Sequence, residues 1–125
     1  MVKVMELVNC RPGMSRADFV KYYEEVHAPL ALRLLPPFAK YARNYVAVSI
    51  EGQEPEFDCV TEMWYESPRA AQAVTDALGG SDATTGYQTE IGRIMRDDEE
   101  RFMDRSQLVS FVVDERISRM VQPGA

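Results

Sequence analysis

Apolar residues recur along this chain with two periods, and the places where one gives way to the other mark the elements. From Val2 to Arg11, Val4, Val8 and Cys10 alternate with Met5, Leu7 and Asn9. Both phases are mostly apolar, as in a central strand covered on both faces. Arg11-Pro12-Gly13-Met14 is a turn, with Pro fixing φ and Gly tolerating φ > 0. Ser15 then opens a helix, its hydroxyl set to accept from the Asp18 backbone N–H, and Asp18 supplies an acid in the first turn. Phe19, Tyr23, Val26, Leu30 and Leu34 follow at spacings of four, three, four and four, which predicts one buried stripe with Lys21, Glu24 and Glu25 opposite it. Pro36-Pro37 stops the helix.

Phe38 to Ile50, rich in Tyr and Val, reads as a second strand, and residues 51–56 as a loop. Phe57 to Glu66 is a third strand, with Phe57, Cys59, Thr61, Met63 and Tyr65 on one face and Asp58, Val60, Glu62 and Trp64 on the other. The short connection predicts a hairpin. Ser67-Pro68 is an N-cap followed by Pro at the first helical position. Ala71, Val74 and Leu78 form that helix's buried line, and Gly79-Gly80 ends it. A further helical stretch carries Tyr87, Ile91 and Ile94, and the acidic run Asp97-Asp98-Glu99-Glu100 leads into Phe102 and Met103. Gln107 to Glu115 is the last strand. The order β-α-β-β-α-β predicts an α+β, ferredoxin-like sandwich, with its first and third strands antiparallel neighbours and its helices on one sheet face. Strands apolar in both phases leave the other face as an apolar patch, which a second copy of the chain is expected to cover.

With 125 residues, the chain is long enough to bury about two thirds of its unfolded surface, so one domain over 1–125 is expected. An apolar fraction of 46% excludes disorder. No apolar run reaches the ~18 residues of a membrane helix. The charged N-terminus is not a signal peptide, so the cytoplasm is the expected compartment. A formal charge of −6 without a basic stripe argues against nucleic acid and anionic membranes as partners. Two cysteines and one histidine rule out a disulfide framework and a Cys/His zinc site, and no metal is expected. The chain has no GxGxxG, no Walker A loop and no GxSxG elbow.

Arg11-Pro12-Gly13-Met14-Ser15, Phe19, Tyr22-Tyr23, His27-Ala28-Pro29-Leu30, Tyr41 and Asn44 resemble the EthD-like family, as does the stretch from Asp98 to Asp104 ahead of the last strand. The resemblance spans nearly the whole chain, and the Arg-Pro-Gly-Met-Ser turn combined with the His-Ala-Pro-Leu helix is its most specific part. Gly79 to Arg96 contributes nothing to it. It implies a dimeric α+β barrel in which two sheets pack face to face, each subunit keeping a ligand cavity between its own sheet and helices. Relatives of this broad type isomerise lactones, dehydrate or cyclise polyketides, decarboxylate aromatic precursors or oxidise phenols without a cofactor. Fold alone does not choose among these.

His27 is the leading candidate for chemistry, because imidazole titrates near neutrality and sits beside Tyr23 and Leu30 on the helical wheel. Pro29 removes a helical hydrogen bond and frees the Glu25 carbonyl, placing an irregularity next to that ring. The alternative is a core histidine bonded to a tyrosine. Tyr41 and Asn44 are candidates to steady a substrate carbonyl or enolate, but their opposite strand parity puts only one of them in a cavity unless a bulge intervenes. Arg43 shares parity with Tyr41 and could hold a carboxylate, against the commoner reading as an exposed strand charge. Tyr23, Met63, Trp64 and Tyr87 are candidate ligand-lining residues, each with a plain core reading beside it. Glu62 is read as solvated or salt-bridged rather than as a base, and Cys10 and Cys59 as reduced thiols.

The expected function is a cofactor-independent enzyme moving a proton at a carbon next to a carbonyl in a hydrophobic polyketide, aromatic or lactone compound, as a lyase, cyclase or isomerase or through cofactor-free oxygenation. The alternative is a non-catalytic dimeric binding protein or an auxiliary subunit of an oxidative system.

Overall fold

The computed structural model describes residues 1–80 and 87–121. Strands β1 (Val2–Val8), β2 (Lys40–Tyr45), β3 (Cys59–Tyr65) and β4 (Val109–Val113) form one antiparallel sheet in the order β2-β3-β1-β4. This is the α+β, ferredoxin-like arrangement expected, with β1 and β3 adjacent. The strands are shorter than their apolar runs. Val48 and Ile50 extend the pattern past Tyr45 but are exposed, with no layer to bury them. Beyond Val8, Cys10 rejoins the fold through a single bridge to Met103.

The register fixes which side chains share a face. Val4 stands opposite Met63 on one side and Val112 on the other, and Met63 stands opposite Tyr41. Val4, Glu6, Tyr41, Met63, Tyr65 and Ser110 therefore share the helix-covered face. Met5, Ala42, Asn44, Glu62, Trp64 and Phe111 share the outer one.

The helical layer opens as the turn residues predict. Met14 N–H donates to the Arg11 carbonyl at 3.0 Å, Gly13 takes φ +84°, and Asp18 N–H donates to Ser15 Oγ at 3.1 Å. Helix α1 (Arg16–Tyr22) runs into a π-turn over Tyr23–His27, which continues as α2 (Ala28–Leu34). In the π-turn, Ala28 N–H reaches back five residues to the Tyr23 carbonyl. Pro29, next in line, has no N–H to restore the regular ladder.

The surplus residue corrects the expected stripe. Past Tyr23 the buried row continues through His27, Ala28 and Ala31, while Val26 is turned out to 41% exposure. An unbroken helix would have put Val26 in the stripe with Tyr23 and Leu30.

Helix α3 (Pro68–Leu78) starts on Ser67, whose Oγ accepts from Ala70 N–H at 3.1 Å, and ends on Gly79 in the left-handed region at φ +83°. Such an N-cap contributes about 1 kcal/mol. Helix α4 (Glu90–Glu100) starts on Thr89, and the acidic run forms its last turn. Gly92 lets α4 approach α3: a Cβ there would stand 2.1 Å from the Leu78 carbonyl oxygen.

Phe19, Tyr23 and Phe102 meet Val8, Cys59 and Ala28 in the main core cluster. The Phe19–Tyr23 and Phe19–Tyr45 pairs are edge-to-face, with centroids 6.0 and 6.1 Å apart. Each such pair adds about 1 kcal/mol beyond area burial.

Candidate functional site

A cavity of about 400 Å³ lies between the sheet and the helices. That is room for a one- or two-ring organic molecule. Val2, Val4, Tyr41, Met63 and Tyr65 form its floor, and His27, Ala31, Leu35 and residues of α3 form its roof. Val112 lines it at the edge strand while remaining 69% exposed, which marks the open side.

His27 is held on three sides. Its ring lies 4.8 Å from the Phe102 ring and 5.5 Å from the Tyr23 ring, centroid to centroid. Its Nδ1 is 2.8 Å from Asp98 Oδ2, and Tyr22 Oη donates to Asp98 Oδ1 at 2.6 Å. A carboxylate only accepts, so Nδ1 carries the proton and Nε2 keeps its lone pair. Asp98 is the ring's hydrogen-bond partner, and among the described residues no buried side-chain nitrogen or oxygen lacks one. His27 is among the residues that line the cavity. Burial lowers the imidazole pKa against the opposing pull of Asp98, which keeps the ring neutral and basic at pH 7.

The candidate residues divide by sheet face. Tyr41 and Met63 line the cavity from the floor, and Tyr87 lines it from its position ahead of α4, where its backbone takes φ +64°. Burial raises the Tyr41 phenol, leaving it a neutral donor. Tyr23 is not at the cavity surface: it is a buried core ring whose hydroxyl lies 2.6 Å from Thr61 Oγ1.

Asn44 and Trp64 are corrected by the register, since no bulge intervenes and both lie on the outer face. Asn44 Nδ2 donates to Glu62 Oε1 at 2.7 Å, and the ammonium groups of Lys3 and Lys40 each lie 4.5 Å from the Trp64 ring centroid. Arg43 shares the Tyr41 face but is tied to Glu24 (Nε to Oε2, 2.9 Å) and does not line the cavity. Glu62 is salt-bridged to Lys3 at 2.5 Å, as read. Cys10 and Cys59 are both free thiols, Cys59 buried and Cys10 only half-buried.

Asp98, Tyr22 and Glu6 were not read from the sequence as site residues. An acid inside a four-acid run reads as solvated, and the signal that could have found Asp98 is its place one helical turn beyond Met95 on the buried side of α4. Among the described residues no three His, Cys, Asp or Glu side chains are grouped as metal ligands, and no helix is long and apolar enough to cross a membrane.

Solved structures share this fold. A protein of the ethyl tert-butyl ether D (EthD) family from Bacillus halodurans is 21% identical, with a TM-score of 0.64 over 93% of this chain and 100% of that one. An EthD-like protein from Ralstonia eutropha is 20% identical, with a TM-score of 0.63 over 94% of each chain. A protein from Arabidopsis thaliana is 15% identical, with a TM-score of 0.59 over 96% of this chain and 100% of that one. At such identities the likeness speaks for the fold alone. No curated protein matches the sequence. The EthD domain model, however, matches residues 11–106, from the Arg-Pro-Gly-Met-Ser turn through α4 to the short helical turn before β4. The chain belongs to the EthD domain family.

Proposed function

We propose that this protein is a cofactor-independent enzyme that moves a proton at a carbon next to a carbonyl in a hydrophobic polyketide, aromatic or lactone compound. One observation carries the reading: an imidazole held through Nδ1 by a carboxylate lines an apolar cavity. His27 Nε2 takes the proton, Asp98 steadies the imidazolium that forms, and Tyr41 donates toward the developing enolate from the floor. Apolar walls of Val2, Val4, Met63 and Leu35 suit a substrate without charge.

The functional unit of this proposal is a homodimer. The outer sheet face presents Phe111 and Val109, 39% and 49% exposed, beside Met5 and Leu7. A second copy laid on that face would bury them.

The test uses 2-tetralone, a two-ring ketone, in D2O, with deuterium uptake beside the carbonyl followed by NMR. The protein is expected to speed uptake well beyond free imidazole at equal concentration, and His27→Ala is expected to abolish the gain while the probe still binds. Equal uptake by His27→Ala and the unaltered protein would leave a binding protein in place of an enzyme.

A further inference from the structure

We propose that Tyr22 is a positioning residue for His27: by donating to Asp98 it holds that carboxylate with its second oxygen on Nδ1, and so keeps the imidazole proton there. This role rests on the proton chemistry proposed above for its use, while the contacts that define it need no ligand.

Tyr22 closes α1, at the point where the helix widens into the π-turn. Its ring stacks on the fully buried Phe102, with centroids 5.2 Å apart and planes at 27°. The His27 ring packs on the same phenyl group at 4.8 Å. Both rings also reach one carboxylate. Tyr22 Oη donates to Asp98 Oδ1 at 2.6 Å, and His27 Nδ1 lies 2.8 Å from Oδ2. His27, Asp98, Tyr22 and Phe102 thus form a closed ring of contacts, drawn from α1, the π-turn, the last turn of α4 and the segment just after it.

A carboxylate on a helix can face its neighbours in more than one way. Rotation about its side-chain bonds would turn Asp98 away from the imidazole and toward solvent, which Asp97 and Glu100 already meet. The phenol holds Oδ1 against that rotation and leaves Oδ2 for the ring. The bond is charge-assisted and sits in a buried setting, since Asp98 and His27 are each 5% exposed. Burial, then the bond to Asp98, raises the Tyr22 phenol above its ordinary value of 10.0 against the pull of Arg101, so the hydroxyl keeps its proton at neutral pH.

The ring and the hydroxyl of Tyr22 have separate tasks. Stacking on Phe102 uses the ring alone, and phenylalanine would supply it. The hydroxyl serves the carboxylate. Tyr22 is not among the residues that line the cavity, so its effect on a ligand passes through Asp98 and His27.

The experiment compares the unaltered protein with Tyr22→Phe, with p-aminophenylalanine at position 22 and with His27→Ala. Phenylalanine keeps the stacking ring and removes the donor, and p-aminophenylalanine returns an N–H donor to the tip of the same ring. ¹⁵N NMR of the ligand-free imidazole should show the proton on Nδ1 in the unaltered protein, a mixture of tautomers in Tyr22→Phe, and Nδ1 again with p-aminophenylalanine. In Tyr22→Phe, kcat for deuterium uptake by 2-tetralone should fall about tenfold with KM within about twofold, and the restored donor should recover it. Should Tyr22→Phe fail to fold, p-methylphenylalanine at that position, close to tyrosine in size and without a donor, takes its place.

A tautomer unchanged in Tyr22→Phe, or lost there and not recovered with p-aminophenylalanine, overturns the positioning role and leaves the His27 chemistry standing. So does uptake that holds within about twofold in Tyr22→Phe while His27→Ala abolishes it. Uptake equal in His27→Ala and the unaltered protein, with the tautomer still dependent on the donor at position 22, overturns the chemistry and leaves Tyr22 as the group that orients the ring.

Discussion

Asp98 Oδ2 lies 2.8 Å from His27 Nδ1, and this contact ties the last turn of α4 to the π-turn across 71 residues of sequence. It fixes the tautomer as well as the position of the ring, because the carboxylate accepts only from a protonated Nδ1. Asp98→Asn, whose amide can turn an N–H toward Nδ1, should lower deuterium uptake by 2-tetralone about 100-fold while leaving its binding within a few-fold. ¹⁵N NMR of the imidazole should show the proton on Nδ1 in the unaltered protein and a changed tautomer balance in the variant.

Glu99 sets a pH dependence of stability. Burial, then the charge of Glu6, pushes its carboxyl up to about 7 against the pull of Arg105. Between its ordinary value of 4.5 and about 7, the folded chain holds a proton that the unfolded chain has lost, so stability falls as pH rises through that window. The loss is complete above about 7, and a displacement of this size is worth up to about 3 kcal/mol. His27 acts in the opposite sense below its ordinary value of 6.5: its lowered pKa makes stability rise with pH there. Urea unfolding at several pH values should show Glu99→Gln gaining on the unaltered protein from about pH 5 to pH 8. A constant difference across that range would remove Glu99 as the cause.

Gly92 is required by space rather than by backbone angle. Its missing side chain admits the Leu78 carbonyl oxygen, 2.1 Å from where a Cβ would sit, and the Tyr87 Cα, 2.7 Å away. Both are backbone atoms that cannot swing aside. Gly92→Ala should cost about 3 kcal/mol and lower the melting temperature, in spite of alanine's better helix propensity.

Phe111 probes the proposed dimer. It lies on the outer face of β4, opposite Met5 and away from the cavity. Phe111→Asp should convert a dimer to a monomer by sedimentation, with little change in the affinity of the cavity for 2-tetralone. A monomeric unaltered protein at micromolar concentration would end that part of the proposal.

The sequence was most legible where a local rule leaves one solution. Gly13 in the turn, Ser15 and Ser67 as caps, Gly79 as a helix stop and the parity of β3 all follow from chemistry within a few residues. The pairing of β1 with β3 followed from the β-α-β-β-α-β order of the elements, and that of β2 with β3 from their short connection. His27 was visible as the lone imidazole beside Tyr23 on the helical wheel and is buried as that placement implies, whereas the outward turn of Val26 rests on a π-turn that the wheel does not contain. Asp98 was hidden because its neighbours Asp97 and Glu100 are exposed, as an acidic run should be, and only packing against His27 distinguishes it. Trp64 and Asn44 were misassigned because a strand apolar in both phases does not say which face the helices cover. That choice is made by the rest of the fold.

The π-turn at Tyr23–His27 makes the reactive geometry hinge on chain length. Excising one amino acid from that segment would restore even winding and return the Val26 isopropyl group to the buried side, with α1, α2 and the sheet otherwise able to persist. A single-codon deletion would therefore alter the lining of the cavity while leaving a container of nearly the same shape.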